Sequence, residues 1–152
     1  MAGLLNLKVT GTKKLIKGMG KATKGLENMR PANLAAAIEY EKWIKKNFQA
    51  KGGLHEDGGL SWKPLAESTK AAKRKMGRNP NAILIGRTRN LMMRWNITAN
   101  NKFSKIKSSV FYSYNHEHGR GVPKRKIFPK DKQGRKITRP VYRLFVKKLI
   151  KF

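Results

Sequence analysis

Cysteine is absent from the 152 residues, which excludes disulfides and thiolate chemistry. Acids are scarce. The eight are Glu27, Glu39, Glu41, Glu56, Asp57, Glu67, Glu117 and Asp131, and none forms a spaced pair with an acid–base role. There is no Gly-x-Ser-x-Gly elbow, phosphate loop or dinucleotide fingerprint, so catalysis has little to stand on. No apolar run approaches the roughly eighteen residues of a membrane span, and the Met1-Ala2-Gly3-Leu4-Leu5 start is too short for a signal-peptide core. Folding in a cytoplasm is the expectation.

The chain is rich in positive charge. Thirty-six Lys and Arg give a formal net charge of +28, which repels itself in any compact state unless a polyanion or an acidic protein surface takes up part of it. From Arg120 to Phe152 thirteen Lys or Arg face only Asp131. Such a balance names the sign of a partner, with nucleic acid the generic candidate. The triplets Lys73-Arg74-Lys75 and Lys124-Arg125-Lys126 suit phosphate contact or a solvated face equally.

The length suits a single domain spanning 1–152. Leu4 to Thr10 reads as a short first strand. Leu15, Met19, Ala22 and Leu26 recur at helical spacing, but Gly18, Gly20 and Gly25 weaken that helix. The first thirty residues therefore read as an arm, mobile or stabilised by a partner. A helix over about 32–49 is the strongest element. Its apolar face carries Ala36, Ala37, Tyr40, Trp43, Ile44 and Phe48, and Pro31 serves as its first residue. A glycine-rich loop over 51–61 and a short helix over about 68–76 follow. The segment 83–95 is ambiguous between a helix and a turn leading into a strand. Ile97–Ala99 and Lys105–Tyr114 alternate as strands around an Asn100-Asn101 turn. Residues 120–139 read as an exposed basic loop, after which Pro140 opens a terminal helix with Val141, Tyr142, Phe145, Val146 and Leu149 on one arc.

His116-Glu117-His118 is the only suggestive cluster. On a strand, residues two apart share a side, so both imidazoles would face a metal, with a third ligand required from His55, Glu56 or Asp57. The alternative, a strand end whose imidazoles bond locally, is preferred because two His fall short of a ligand set. No metal, cofactor or catalytic residue is assigned.

Four local patterns occur in one order. Gly59-Leu60-Ser61-Trp62-Lys63-Pro64-Leu65, followed by Thr69, is similar to a Gly-x-x-Trp-x-Pro-Leu-x-x-x-Thr segment. Ile83-Leu84-Ile85 with Thr88-Arg89-Asn90-Leu91 is similar to a Leu…Thr-Gly-x-Leu turn, with Arg89 in the glycine position and Gly86 available for a shifted turn. Tyr112-Ser113-Tyr114-Asn115-His116-Glu117-His118-Gly119 looks like Tyr-Ala-x-x-His-Gln-x-Gly. Pro123-Lys124-Arg125-Lys126-Ile127 resembles Pro-x-Arg-Pro-Phe, with Ile127 in the aromatic position. Together these resemble the phage virion morphogenesis, or tail completion, family over about 59–128.

The resemblance implies an α+β fold, a small antiparallel sheet packed by amphipathic helices, with a long N-terminal helical segment and a C-terminal helix. It also implies a non-enzymatic virion protein at the head–tail junction. Such a protein forms a homo-oligomeric ring, expected to be a hexamer, between the head connector and the tail tube, as a neck, tail completion or tail terminator protein. Its implied structural residues are Trp62, Pro64, Leu65, Thr88, Leu91, Tyr112, His116, Gly119, Pro123 and Arg125. Trp62 and Leu65 would pin the loop to the core, Tyr112–Gly119 would be a strand entering a glycine-dependent turn, and Arg125 would tie its segment to a carboxylate or carbonyl. Connector and tail-tube proteins would be the neighbours and packaged DNA a further contact, with no membrane involved. The basic run Lys130, Lys132, Arg135 and Lys136 is the expected partner-binding patch. The rival is a basic nucleic-acid-binding protein using aromatics such as Trp95, Phe111 and Tyr112. A metal-dependent nuclease using His116 and His118 lacks a carboxylate cluster.

Overall fold

A computed structural model describes residues 12–55, 61–84 and 90–150. The strand expected over Leu4–Thr10 lies outside them. Among the described residues are six helices, α1 (Thr12–Glu27), α2 (Arg30–Gln49), α3 (Glu67–Lys75), α4 (Asn90–Met93), α5 (Ser113–His118) and α6 (Asp131–Ile150). Two strands, β1 (Trp95–Ala99) and β2 (Ser104–Ser108), complete the fold. The architecture is α+β, with helices packed on a small two-stranded antiparallel sheet.

Helix α2 is the centre. Pro31 sits in its first turn, where a missing N–H costs nothing, and the helix packs on α4, α6 and both strands. Ala32, Ala36, Ala37, Ile44 and Phe48 are buried, while Tyr40 and Trp43 pack at the margin of the core. Its outer face carries Lys42–Glu39 (2.6 Å) and Lys45–Glu41 (2.8 Å) pairs at helical spacing. The remaining core is supplied by Trp62, Ile83, Leu91, Met92, Trp95, Val110 and Ile127.

Strands β1 and β2 pair in the register Trp95↔Ser108, Ile97↔Ile106 and Ala99↔Ser104. The odd positions of β1 turn inward and Asn96 and Thr98 outward, as a half-buried strand requires. Asn100 makes the turn: its Oδ1 accepts the N–H groups of Lys102 (2.8 Å) and Phe103 (2.9 Å). The ambiguous 83–95 segment divides, its described end forming α4 and leading directly into β1.

Three expectations are corrected. Strand pairing stops at Ser108, and Tyr112–Gly119 is not a strand: residues 113–118 are helical. The Val110 N–H bonds Ser108 Oγ (3.1 Å) and the Val110 carbonyl accepts the Ser113 N–H (3.1 Å), so the chain turns before further pairing. The alternating Tyr112, Tyr114, His116 and His118 then meet as i, i+4 pairs, Tyr112 with His116 and Tyr114 with His118.

The second correction concerns 120–139. The basic loop ends at Lys130, and α6 begins at Asp131 rather than Pro140, which lies exposed inside the helix. An interior proline costs a helix about 3 kcal/mol. Against that stand the acid in its first turn, the buried Gln133 side chain donating to the Leu54 carbonyl, and the packing of α6 on α2. Gly134 is therefore a contact point rather than a hinge, because a Cβ there would press on the Tyr40 ring at 3.2 Å.

The third concerns α1. Met19 and Leu26 are exposed, while Gly18 is buried and Gly25 and Ala22 are half-buried. The helix contacts α6, and the absent side chain of Gly25 makes room for Leu149.

Candidate functional site

The motif residues converge on a single backbone segment, Arg125–Phe128. Trp62 is only 4% exposed, and its indole N–H donates to the Lys126 carbonyl at 3.0 Å. That carbonyl also lies 3.3 Å from Asn47 Nδ2 and 3.1 Å from His55 Nε2. The Phe48 ring meets the indole edge-on at 5.1 Å between centroids. Gly52, with φ +86°, lies flat against it, where any Cβ would overlap the indole.

Arg125 is 4% exposed and bonded to backbone rather than to an acid. Its guanidinium donates to the Lys63 carbonyl at 3.2 Å, and its backbone N–H donates to the His116 carbonyl at 2.7 Å. Of the two partners the motif allowed, the carbonyl is the one used. Burial without a counter-ion pushes the Arg125 pKa down. The Glu117 carboxylate accepts the N–H groups of Ile127 (2.5 Å) and Phe128 (3.3 Å), clamping the same segment from the other side. Ile127 is fully buried in the core.

His116 and His118 are thus separated. Two residues apart on a helix is about 200° of rotation, so α5 sends the imidazoles to different sides. His118 stacks on Tyr114 at 4.1 Å, and the Arg120 guanidinium sits 5.0 Å from the same ring. His116 is half-buried, its pKa lowered by desolvation and secondarily by the charge of Arg125. No group of three metal-ligating side chains occurs among the described residues.

The other expected structural residues spread outward from this knot. Leu91 is buried and Leu65 packs at the core margin, whereas Pro64 and Pro123 are exposed. Gly119 caps α5 with φ +79°, so the glycine requirement holds although a helix rather than a strand precedes it. Tyr112 stands at the surface, 37% exposed, beside Phe111 at 90%. Thr88 lies outside the described residues, as do Gly86 and Arg89.

The basic patch has a different form from the one read in the sequence. Lys130 precedes α6, and Lys132, Arg135 and Lys136 lie on its exposed face. Arg135 belongs to a longer row with Arg139, Arg143 and Lys147, all exposed and spaced i, i+4. Beside this row on the same helix lie Pro140, Leu144, Val146 and Ile150.

A pocket of about 500 Å³ opens where α6 meets α2 and β2, lined by Tyr40, Ile106, Phe128, Asp131, Arg135 and Tyr142 among others. Burial there, reinforced by the carboxylates of Glu117 and Asp131, pushes the Tyr40 hydroxyl up to about 12. Tyr142 donates to Asn33 Oδ1 (2.8 Å), and Asn33 Nδ2 donates to the Asn100 carbonyl (2.8 Å), which joins α6, α2 and the hairpin.

Glu117 and Gln133 were missed by sequence reasoning. The flanking histidines drew attention from Glu117, and its only available signal was a lone acid in a strongly basic segment. The described Glu39, Glu41 and Glu67 are held in lysine pairs and Glu117 in backbone bonds. No described helix is long and apolar enough to cross a membrane. Compared with protein-family models, curated proteins and solved structures, the chain matches none of them.

Proposed function

We propose that this chain is a structural virion protein of the head–tail junction, a neck, tail completion or tail terminator component. It would assemble into a ring that joins the tail tube to the head connector. The observation that carries the reading is the use of the motif side chains as mutual supports. The Trp62 and Arg125 side chains tie the 125–128 segment to residues 62–63, the His116 carbonyl accepts the Arg125 backbone N–H, and the exposed surface is left basic and partly apolar. Such an arrangement suits binding by complementary surfaces, with the fold as a rigid carrier.

The test is a preparation freed of nucleic acid and imaged by negative-stain electron microscopy, with mass photometry giving the copy number. Closed rings, expected to be hexamers, support the proposal. A monomer at every concentration, with salt-sensitive and sequence-independent DNA affinity, refutes it. That outcome would favour the second reading, a nucleic-acid-binding protein, for which the exposed Phe111 and Tyr112 beside the Arg120–Tyr114 pair speak. Trp95 weighs the other way, because it is buried with its indole N–H bonded to the Met92 carbonyl at 2.9 Å.

A further inference from the structure

The outer face of α6 is built for a particular kind of partner. At 100° per residue, Arg135, Arg139, Arg143 and Lys147 form one slowly winding row. Pro140 and Leu144 then fall along one side of it, and Val146 and Ile150 along the other. Leu144 is 57% and Ile150 52% exposed, and Val146 is also open to solvent. Each step of four residues rises about 6 Å, so the row runs for about 18 Å. No acid lies on α6 beyond Asp131 in its first turn.

We infer that this face is a docking site for an acidic amphipathic helix of a partner protein. Its carboxylates would repeat at the same i, i+4 spacing, and its apolar side chains would settle on Val146 and Ile150, which lie i, i+4 on one side of the row. The inference deepens the proposed assembly role and rests on it for the biological setting. Charge complementarity selects this occupant. A second copy presenting the same face would set the basic row against itself, and a chain with eight acids against 36 Lys and Arg has few carboxylates to offer elsewhere. A nucleic-acid backbone would satisfy the row and leave the apolar flanks in water. A lipid surface favours one broad continuous apolar face, whereas here the apolar side chains are split to either side of the cation row.

Fluorescence anisotropy on the full chain, freed of nucleic acid, tests this with two labelled probes. One is a designed helical peptide with glutamates in an i, i+4 row flanked by leucines, and the other has the same residues rearranged to break the row. The patterned peptide should bind saturably, release as salt rises, and bind about fivefold or more tighter than the rearranged one. Arg139→Glu with Arg143→Glu should weaken it about tenfold or more. Val146→Ser with Ile150→Ser should weaken it about fivefold. Lys105→Glu with Lys107→Glu, the same charge change on the exposed side of β2, should change it little. Should the charge-reversed protein lose its circular-dichroism signal, Arg139→Gln with Arg143→Gln serves in its place. Equal binding of the two peptides, or an equal loss from the β2 pair, would reduce the face to unspecific attraction and overturn the inference. Tighter binding of duplex DNA or of phosphatidylglycerol vesicles through the same row, or self-association abolished by the α6 pair, would assign the face to that occupant and overturn it as well. Rings that form while the patterned peptide fails to bind would remove this inference alone. Peptide binding by a chain that never forms rings would remove only the neck reading.

Discussion

Replacing Trp62 by alanine removes the largest single support of the segment 125–128. The side chain is almost wholly buried, packed between Phe48 and the bare backbone of Gly52. Truncating a buried Trp costs about 3–5 kcal/mol, as lost transfer energy plus the unfilled cavity. Gly52 and Lys51 are held at positive φ and Lys51 accepts the Trp62 N–H at 2.7 Å, so the loop is poorly placed to collapse into the gap. The hydrogen-bond share is smaller: Asn47 and His55 stay close to the Lys126 carbonyl, so losing the indole N–H leaves no orphaned acceptor and costs about 1 kcal/mol. Trp62→Phe should therefore keep most of the stability that Trp62→Ala loses. For a domain of this size, with a total stability of about 5–15 kcal/mol, the alanine variant should lose a fifth of it or more. Urea unfolding followed by far-ultraviolet circular dichroism reads this directly, and avoids the overlapping emission of Trp43 and Trp95. An alanine variant within about 1 kcal/mol of the parent, or an indole at position 62 with the emission of a water-exposed group, would refute the packing argument.

Glu117→Ala should cost about 1.5–3 kcal/mol, because two backbone N–H groups lose a charged acceptor, whereas His118→Ala, on an exposed ring, should cost far less; urea midpoints compare the two. His116 has a folded pKa below its ordinary value of 6.5, so the unfolded chain takes up a proton first as pH falls. Its contribution is present above that value and is lost as pH drops through the folded pKa, so the fall in urea midpoint between neutral pH and pH 5 should flatten in His116→Gln. No enzymatic turnover is expected of the protein, and a stably folded His116→Ala variant that lost a turnover shown by the parent would contradict the binding role. Neutralising Lys130, Lys132, Arg135 and Lys136 to Gln should leave the circular-dichroism spectrum unchanged, impair assembly of infectious particles and reduce the salt dependence of association. Normal assembly from that variant would make the first half of the α6 face a passive solvated surface.

Local pattern determined a good part of this protein. The spacing of Ala36, Ala37, Tyr40, Ile44 and Phe48 specified α2, because one helical face must be buried and only that period places those residues together. The Asn100-Asn101 turn was legible for the same reason, whereas the burial of Trp62 and the glycine at 119 were expected from the motif resemblance. The motif order also marked Arg125 as a tie. Tertiary structure decided the rest. Residues 112–118 alternate like a strand and pair like a helix, and the choice fell to the turn at Val110, which ended the pairing with β1. Pro140 was a sound helix start by local rules. It became an interior residue because Gln133 found Leu54, about eighty residues away in sequence, and because α2 offered a surface for the full length of α6. The role of Glu117 depends on bringing Ile127 and Phe128 to its carboxylate, and the basic row of α6 exists only once its two halves form one helix. Contacts between distant segments carry no local signature, so the partners of a lone acid or a basic run emerge only when the chain has folded.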